Sequence, residues 1–377
     1  MKIGYTNRGY AQTRNIAYAA AHDVRHVRDL FSILRKLRRH YSMALQSFAL
    51  PVGGGVQVVH TFNSVVLGGR SWAVTYETTL PRSNRLPKFL IKLAWGRLSK
   101  PQCLGILALS ECARQRLITD LDTNIAKMDA CTRAAIRAKI RVLHPPQDIL
   151  ITADKKEFAG PLRLALVGHD FYRKGGLEVL LALDRLATEG ADIHLSIAGK
   201  MTAGDYASRA GTAEEAHARE LIHKNQDRVN VMGPLPWGAV MNLLQRSHLL
   251  CLPTWGDTYG YSVLEGQAAG CPAITINLRA LPEINNEECG WVIPVPKLPN
   301  GDGDHDTKEK RNQFRALLVE GLIRALRQAY TERPLLRQKS IRSLERIQRE
   351  HNPARHAEIL QSMYRLAIIG MNSSRPA

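Results

Sequence analysis

The sequence predicts an α/β protein built from two doubly wound domains. Three observations carry that prediction. Short apolar runs alternate with segments of helical periodicity, as parallel strands joined by helical crossovers require. The alternation comes in two series that separate near residue 150. The chain, at 377 residues, is also too long for one ordinary domain.

In the first series, GVQVVHTF (55–62), SWAVTYE (71–77) and LGILALS (104–110) read as buried strands, and KFLIKLAWGRL (88–98) has helical spacing between them. RVLHPP (141–146) ends in two prolines, which neither a helix nor a central strand continues through. The polar stretch QDILITADKKEFAG (147–160) then reads as a linker. The second series runs PLRLALVG (161–168) as strand, 175–190 as helix closed by Gly190, and DIHLSIAG (192–199) as strand. It continues with VNVMG (229–233) as strand, 236–247 as helix, HLLCLPT (248–254) as strand, a helix opening at 262, and CPAITIN (271–277) as strand. From about 308 the pattern is helical, with Pro334 and Pro353 marking breaks. The domains expected are 1–150, 151–345, and a helical segment 346–377 that packs back on the first.

Lys and Arg total 52 against 34 Asp and Glu, a formal charge of +18 that points to an acidic partner: nucleic acid, anionic lipid or a phosphorylated substrate. A hydrophobic content of 45% with 23% charged residues excludes a disordered, collagen-like or coiled-coil chain. Six cysteines with no C-x-x-C pair make neither a disulfide framework nor a zinc site, and a reducing cytosol fits them. The N-terminal segment has no apolar h-region, and no run of 18 apolar residues occurs. A soluble protein, or one lying on a membrane surface at the cytoplasmic side, is expected.

The chemistry concentrates in PTWGDTYGYSVLEGQAAGCPAI (253–274). A buried strand ends at Pro253, a glycine-bearing polar loop follows, and a helix opens near Ser262. First-turn amides without internal partners and the positive end of the helix dipole suit a phosphate. Asp257 in the loop and Glu265 on the helix stand eight residues apart, on either side of that cradle.

This stretch resembles the E-x7-E signature of glycosyltransferase family 4, the retaining, nucleotide-sugar-dependent enzymes of GT-B fold. Four further segments resemble the family in the family's order: LVGHDFYRKGGLEVLLAL (166–183), VNVMGPLP (229–236), ALPEINNEECGWVIPV (280–295) and ILALSECAR (106–114). The resemblance covers roughly residues 55–300. It implies a UDP- or GDP-sugar donor held by Gly168, Leu235, Tyr259, Gly260, Tyr261, Ser262, Val263 and Glu265, the last on the ribose hydroxyls. Arg173 and Lys174 would neutralise the departing diphosphate. Asp257 would contact the transferred sugar, and His60 would stand near its reacting carbon. Asn63, Glu77 and Arg82, at strand ends of the first domain, form the expected acceptor side. The implied reaction moves a hexose-type sugar, with retention, to a saccharide or lipid-linked acceptor of bacterial surface polysaccharide or glycolipid synthesis. No metal and no cofactor beyond the nucleotide sugar is expected.

Two departures from the family pattern bear on substrates. Asp257 stands where the family carries Glu, setting the carboxylate back by one methylene. His169 stands where an arginine usually follows the first glycine, and Arg173 is the residue able to compensate. The glycine-rich loop after the first strand is also not recognisable in IGYTNRGYAQ.

Asp120 and Asp122 have the D-x-D spacing of metal-dependent sugar transferases of another fold, but follow a helical run and read as a cap or turn. Asp302, Asp304 and Asp306 alternate like the start of a calcium loop. The required glycine is absent from the sixth position and Gln313 occupies the twelfth. In RHVRDLFSILRKLRRHY (25–41), Val27, Leu30, Phe31, Leu34, Leu37 and Tyr41 form one helical stripe, with six basic residues against Asp29 opposite. That pattern fits a helix on an anionic bilayer surface, its stripe turned inward and its arginines toward lipid. An epimerase or phosphorylase of the same fold is the nearest rival. A nucleic-acid binder is disfavoured because aromatics make up only 6% and do not cluster with the 25–39 arginines.

Overall fold

The computed structural model describes residues 1–17, 22–37 and 43–372. The chain divides into two compact units, Met1–Pro146 with His351–Ala377, and Gln147–Glu350.

The first unit holds six parallel strands: β1 (Lys2–Tyr5), β2 (Asp23–His26), β3 (Val58–Phe62), β4 (Ser71–Tyr76), β5 (Cys103–Ala108) and β6 (Ile140–Val142). Their order is β6-β5-β4-β3-β1-β2, so the direction of winding reverses between β1 and β3. Both faces of the sheet are covered, which is why its central strands read as near-continuous apolar runs. On one face Trp72, Val74 and Ile106 pack with Trp95 and Leu98 of a helix over Lys88–Ser99. On the other, Ile3, Val58 and Leu107 pack with Leu360, Tyr364 and Ala367 of the closing helix Pro353–Asn372.

The 25–41 segment departs from a single amphipathic helix. Arg25 and His26 end β2, Arg28–Asp29 pairs antiparallel with Pro51–Val52, and the helix, α1, covers Leu30–Leu37. The cause is Asp29. It is buried, and its carboxylate accepts from the amides of Phe31 (3.2 Å), Ser32 (3.1 Å) and Leu50 (2.8 Å), which fixes the helix start. The stripe does not all turn inward. Phe31 packs on the core, while Leu30, Ile33 and Leu34 are 40–44% exposed. The side chains of Arg35, Lys36 and Leu37, and all of residues 38–42, lie outside the described residues.

The second unit is also fully parallel: β7 (Leu162–Val167), β8 (Ile193–Ala198), β9 (Val229–Gly233), β10 (Leu249–Cys251), β11 (Ala273–Ile276) and β12 (Gly290–Ile293), in the order β9-β8-β7-β10-β11-β12. Winding reverses between β7 and β10. Ligands of such sheets sit beyond the carboxyl ends of the strands at that reversal. Helix α2 (Gly176–Thr188) follows β7, α3 (Trp237–Arg246) precedes β10, and α4 (Tyr261–Ala268) follows it. Pro334 falls at the start of the helix Arg333–Glu350 and Pro353 opens the last helix, so both prolines mark helix starts.

The 147–160 stretch is more than a linker. Lys156 is 3% exposed, and its ammonium donates to the carbonyls of Leu244, Gln245, Ser247 and Ala269 at 2.5–3.1 Å. Those carbonyls close α3 and α4, the groups that helix geometry leaves without partners. One buried lysine thus caps two helices, and α4 carries Glu265. Lys156→Met strips these acceptors of a charged donor at a cost of roughly 3 kcal/mol. Urea unfolding should show an earlier transition for the second unit alone, and an unchanged midpoint would contradict the capping role.

Candidate functional site

The two loops at the winding reversal of the second unit are 168–175, after β7, and 252–260, after β10. They are fastened together through backbone. The carbonyl of Arg173 accepts from the Trp255 amide (2.8 Å) and the Thr254 hydroxyl (2.9 Å), and the Arg173 guanidinium donates to the Gly256 carbonyl (2.5 Å). Gly175 makes the approach possible. Its φ is +80°, and a Cβ there would stand 2.2 Å from the Pro253 oxygen. Gly260, at φ +94°, turns the second loop into α4, where a Cβ would meet Leu281 at 2.8 Å.

Side chains complete the fastening. Lys174 is ion-paired with Asp257, the two side chains being 13% and 14% exposed. Arg173 pairs with Asp170, its Nε at 3.0 Å from the carboxylate. Burial pushes the Asp257 carboxyl up, but the Lys174 ammonium, Arg173 and the Thr258 amide outweigh it and hold the pKa below the ordinary value. Burial likewise works against the Arg173 charge, and the hydrogen bond to Asp170 with the charge of Asp257 raises its pKa in spite of it. Three cations and three carboxylates therefore meet here, for Arg279 joins the group. It is paired to Asp302 at 2.6 Å, and Asp257 helps to raise its pKa against burial.

The structure brings together most of the residues expected at the donor site. Gly168 ends β7 with its amide on the Ala198 carbonyl (2.9 Å). Glu265 is 7% exposed on α4, and the rings of Tyr259 and Tyr261 meet at 5.3 Å between centroids. The Ser262 hydroxyl is buried and makes no hydrogen bond, an unmet donor at the start of α4. One expected contact is spent otherwise. The Val263 amide donates to the Gly260 carbonyl at 2.9 Å, closing the first turn on itself. Leu235, half-buried just past β9, lines a cavity of about 500 Å³ with Arg163, Arg228 and Met232.

The sequence reading missed Arg279, Tyr206 and His305. Tyr206 is 69% exposed, yet its hydroxyl stands 3.5 Å from where a Cβ on Gly256 would lie. His305 contacts the Trp255 carbonyl at 3.0 Å, and Arg315 lies over the Trp255 ring while pairing with the buried Glu178. The aspartate-rich 302–306 loop thus braces the 252–260 loop from behind: Asp302 holds Arg279, and Asp304 and Asp306 hold Lys310. Asp120 is held by Thr79 and Asn84, and Asp122 by Arg137.

In the first unit, His60 lies in the core. It is fully buried, with Nδ1 on the Tyr364 hydroxyl (2.5 Å) and Nε2 on the Thr75 hydroxyl (2.8 Å), and burial pushes its pKa down to about 3. Both ring nitrogens serve the core, so neither reaches a sugar in this arrangement. Asn63 donates to Glu77 (3.0 Å) and accepts from the Glu77 amide (3.0 Å), and Arg82 stands 3.6 Å from the same carboxylate.

The second-unit cluster suits a diphosphate, which would exchange Asp257 for phosphate oxygens at Lys174. Asp257→Asn removes the competing charge and should tighten inorganic pyrophosphate by about threefold to tenfold, whereas Lys174→Met should weaken it about tenfold. Calorimetric titration checks both, and equal affinities in wild type and the two variants would contradict the assignment.

Comparison with known proteins shows what the chain is similar to. Residues 150–299 match the family model described as glycosyl transferases group 1. Over 131 residues, 35% of the chain and 30% of the relative, it is 29% identical to a glycogen synthase of Mycobacterium tuberculosis. Over 185 residues, 46% of the chain and 42% of the relative, it is 24% identical to a D-inositol 3-phosphate glycosyltransferase of Mycobacterium leprae. The chain thus spans less than half the length of these curated relatives. Among solved structures, a glycosyltransferase from Rickettsia africae matches with TM-score 0.63 and 14% identity over 97% of this chain and 98% of its own. Sucrose-phosphate synthase from Thermosynechococcus elongatus matches with TM-score 0.63 and 15% identity over 98% and 100%. Anabaena Alr3699/HepE, crystallised with UDP, matches with TM-score 0.59 and 10% identity over 96% and 99%. The chain has the GT-B fold, and the segment matching the glycosyl transferases group 1 model is the one that carries the Lys174–Asp257 site.

Proposed function

We propose that this protein is a retaining glycosyltransferase that moves a hexose-type sugar from a nucleoside-diphosphate sugar to a hydroxyl of a saccharide or lipid-linked acceptor. The observation that carries the reading is the Lys174–Asp257 pair with Arg173, held between two loops at the winding reversal and at the start of α4. In this reading the donor diphosphate displaces Asp257 from Lys174. The freed carboxylate turns to hydroxyls of the sugar, and Glu265, eight residues on, takes the ribose. The bond from the anomeric carbon to the diphosphate breaks as the acceptor oxygen bonds that carbon on the same face, and the acceptor's hydroxyl proton passes to the departing diphosphate oxygen. Lys174 and Arg173 stabilise the charge gathering on the leaving diphosphate, a contribution worth about 10²–10³ in kcat when such a donor is removed. The buried, unmet Ser262 hydroxyl supports a polar ligand at the helix start. The family match and the UDP bound by Alr3699/HepE support a nucleotide sugar, UDP-linked before GDP-linked.

A membrane surface is proposed as the place of work, on the cytoplasmic side and in surface polysaccharide or glycolipid synthesis. The reading is supported by two exposed apolar sets with basic neighbours in the first unit. Leu30, Ile33 and Leu34 project from α1 after the exposed Arg28, and Phe89 (70% exposed) and Leu93 alternate with exposed Lys88 and Lys92. No helix among the described residues is long and apolar enough to cross a bilayer.

Thermal melts with UDP, GDP and their common sugar forms test the donor. At about 100 times its dissociation constant a ligand of the folded state adds about 2.7 kcal/mol. A shift with one base, lost in Glu265→Ala, is expected, and no shift with any nucleotide would overturn the reading. Sedimentation with phosphatidylcholine vesicles should capture the protein only when phosphatidylglycerol is included, and less at high salt or in Ile33→Glu/Phe89→Glu. Equal capture without the anionic lipid would remove the surface reading.

A further inference from the structure

We infer that the first unit contains a phosphoryl-binding pocket and that the acceptor is an anionic molecule carrying a phosphomonoester. The inference takes the word acceptor from the proposed function; the pocket itself stands on geometry within one unit. It is a cavity of about 750 Å³ whose lining includes Thr6, Arg8, His26, Ser32, Ser64 and Arg82. Its position follows from topology. Thr6 and Arg8 follow β1, Ser64 follows β3, and His26 ends β2, so the cavity lies beyond the carboxyl ends of the strands between which this sheet reverses its winding.

The lining is one-sided in charge. Arg8, His26 and Arg82 are cationic or able to become so, the neutral groups are hydroxyls and amides with one phenyl ring from Phe62, and no carboxylate lines the cavity among the described residues. Glu77 stands behind Arg82 at 3.6 Å, where Asn63 fixes it from both sides. This single carboxylate offsets one cation and orients its guanidinium at the cavity wall. Asp29, next in sequence to the α1 helix that carries Ser32, accepts from the amides of Phe31, Ser32 and Leu50. Two guanidiniums and an imidazole facing hydroxyl donors match three phosphate oxygens better than the hydroxyls of a neutral sugar, since guanidinium pairs oxyanions bidentately. A neutral sugar would find acceptors for its hydroxyls in the amides of Asn7 and Gln46 but no carboxylate, and it would leave the guanidinium charge of Arg8 and Arg82 unmatched.

The same chemistry serves a soluble sugar phosphate or a phosphomonoester on a lipid, and the test separates them. Glucose 6-phosphate is titrated calorimetrically into protein saturated with UDP or GDP, which occupies the second-unit anion site, with glucose as control. Binding of glucose 6-phosphate at least about tenfold tighter than glucose is expected, with a loss of about tenfold in Arg8→Gln and in Arg82→Gln and retention in Arg8→Lys. The nucleotide affinity of these variants should stay at the wild-type value, which also reports their folding. Displacement of glucose 6-phosphate by vesicles containing phosphatidic acid would assign the phosphate to lipid, and no displacement to a soluble acceptor. Glucose 6-phosphate binding no tighter than glucose, or unaffected by both Gln variants, would overturn the inference. Failure of every nucleotide to bind, with arginine-dependent glucose 6-phosphate binding intact, would remove the donor reading and leave the pocket standing.

Discussion

The constraint on which the candidate site depends is the union of the two loops at the winding reversal of the second unit. The Trp255 amide and the Thr254 hydroxyl on the Arg173 carbonyl, with the Arg173 guanidinium on the Gly256 carbonyl, bring the basic pair and Asp257 to one point. A side chain at position 175 would collide with the Pro253 oxygen and block that approach. The resulting charge balance has a consequence for binding. Each cation already holds a carboxylate, Arg173 with Asp170, Lys174 with Asp257 and Arg279 with Asp302. A diphosphate would therefore enter by exchange, and the carboxylate it frees at Lys174 would be the group placed to meet a sugar.

Around this point the fold supplies rigidity from behind. Lys156 ties the carboxyl ends of two helices, one bearing Glu265, to the segment that begins the unit. Trp255 is wedged by Phe314, His305 and Arg315, so the 252–260 loop rests on the long helix Lys308–Thr331 and on the aspartate-rich turn before it. The acidic alternation in that turn is paired with Arg279 and Lys310.

How much of this was legible in the sequence follows the range of the interactions. The two loops of the candidate site were legible because glycine, basic pair, loop carboxylate and helix start lie in two short continuous stretches, each following a buried strand. Arg279 and His305 were not, since each looks like an ordinary loop residue until packing sets it beside Asp257 or Trp255. The surroundings of His60 were illegible for the same reason: its partner Tyr364 is 304 residues away, and nothing near His60 announces that the closing helix packs on it. The 25–41 stretch misled in another way. Its periodicity is helical throughout, but pairing of Asp23–His26 with β1 and capping by Asp29 override it for the first five residues. Lys156 sat in a polar stretch that composition alone assigns to a linker, although four carbonyls from two helices converge on it.

The central claim is that the second unit holds a nucleoside diphosphate at Lys174. A crystal structure with a bound nucleotide sugar tests it most directly. The account predicts diphosphate oxygens within hydrogen-bond distance of Lys174 Nζ and the Arg173 guanidinium, Asp257 turned to the sugar, and Glu265 on the ribose. A nucleotide bound elsewhere, with the Lys174–Asp257 pair intact, would contradict it.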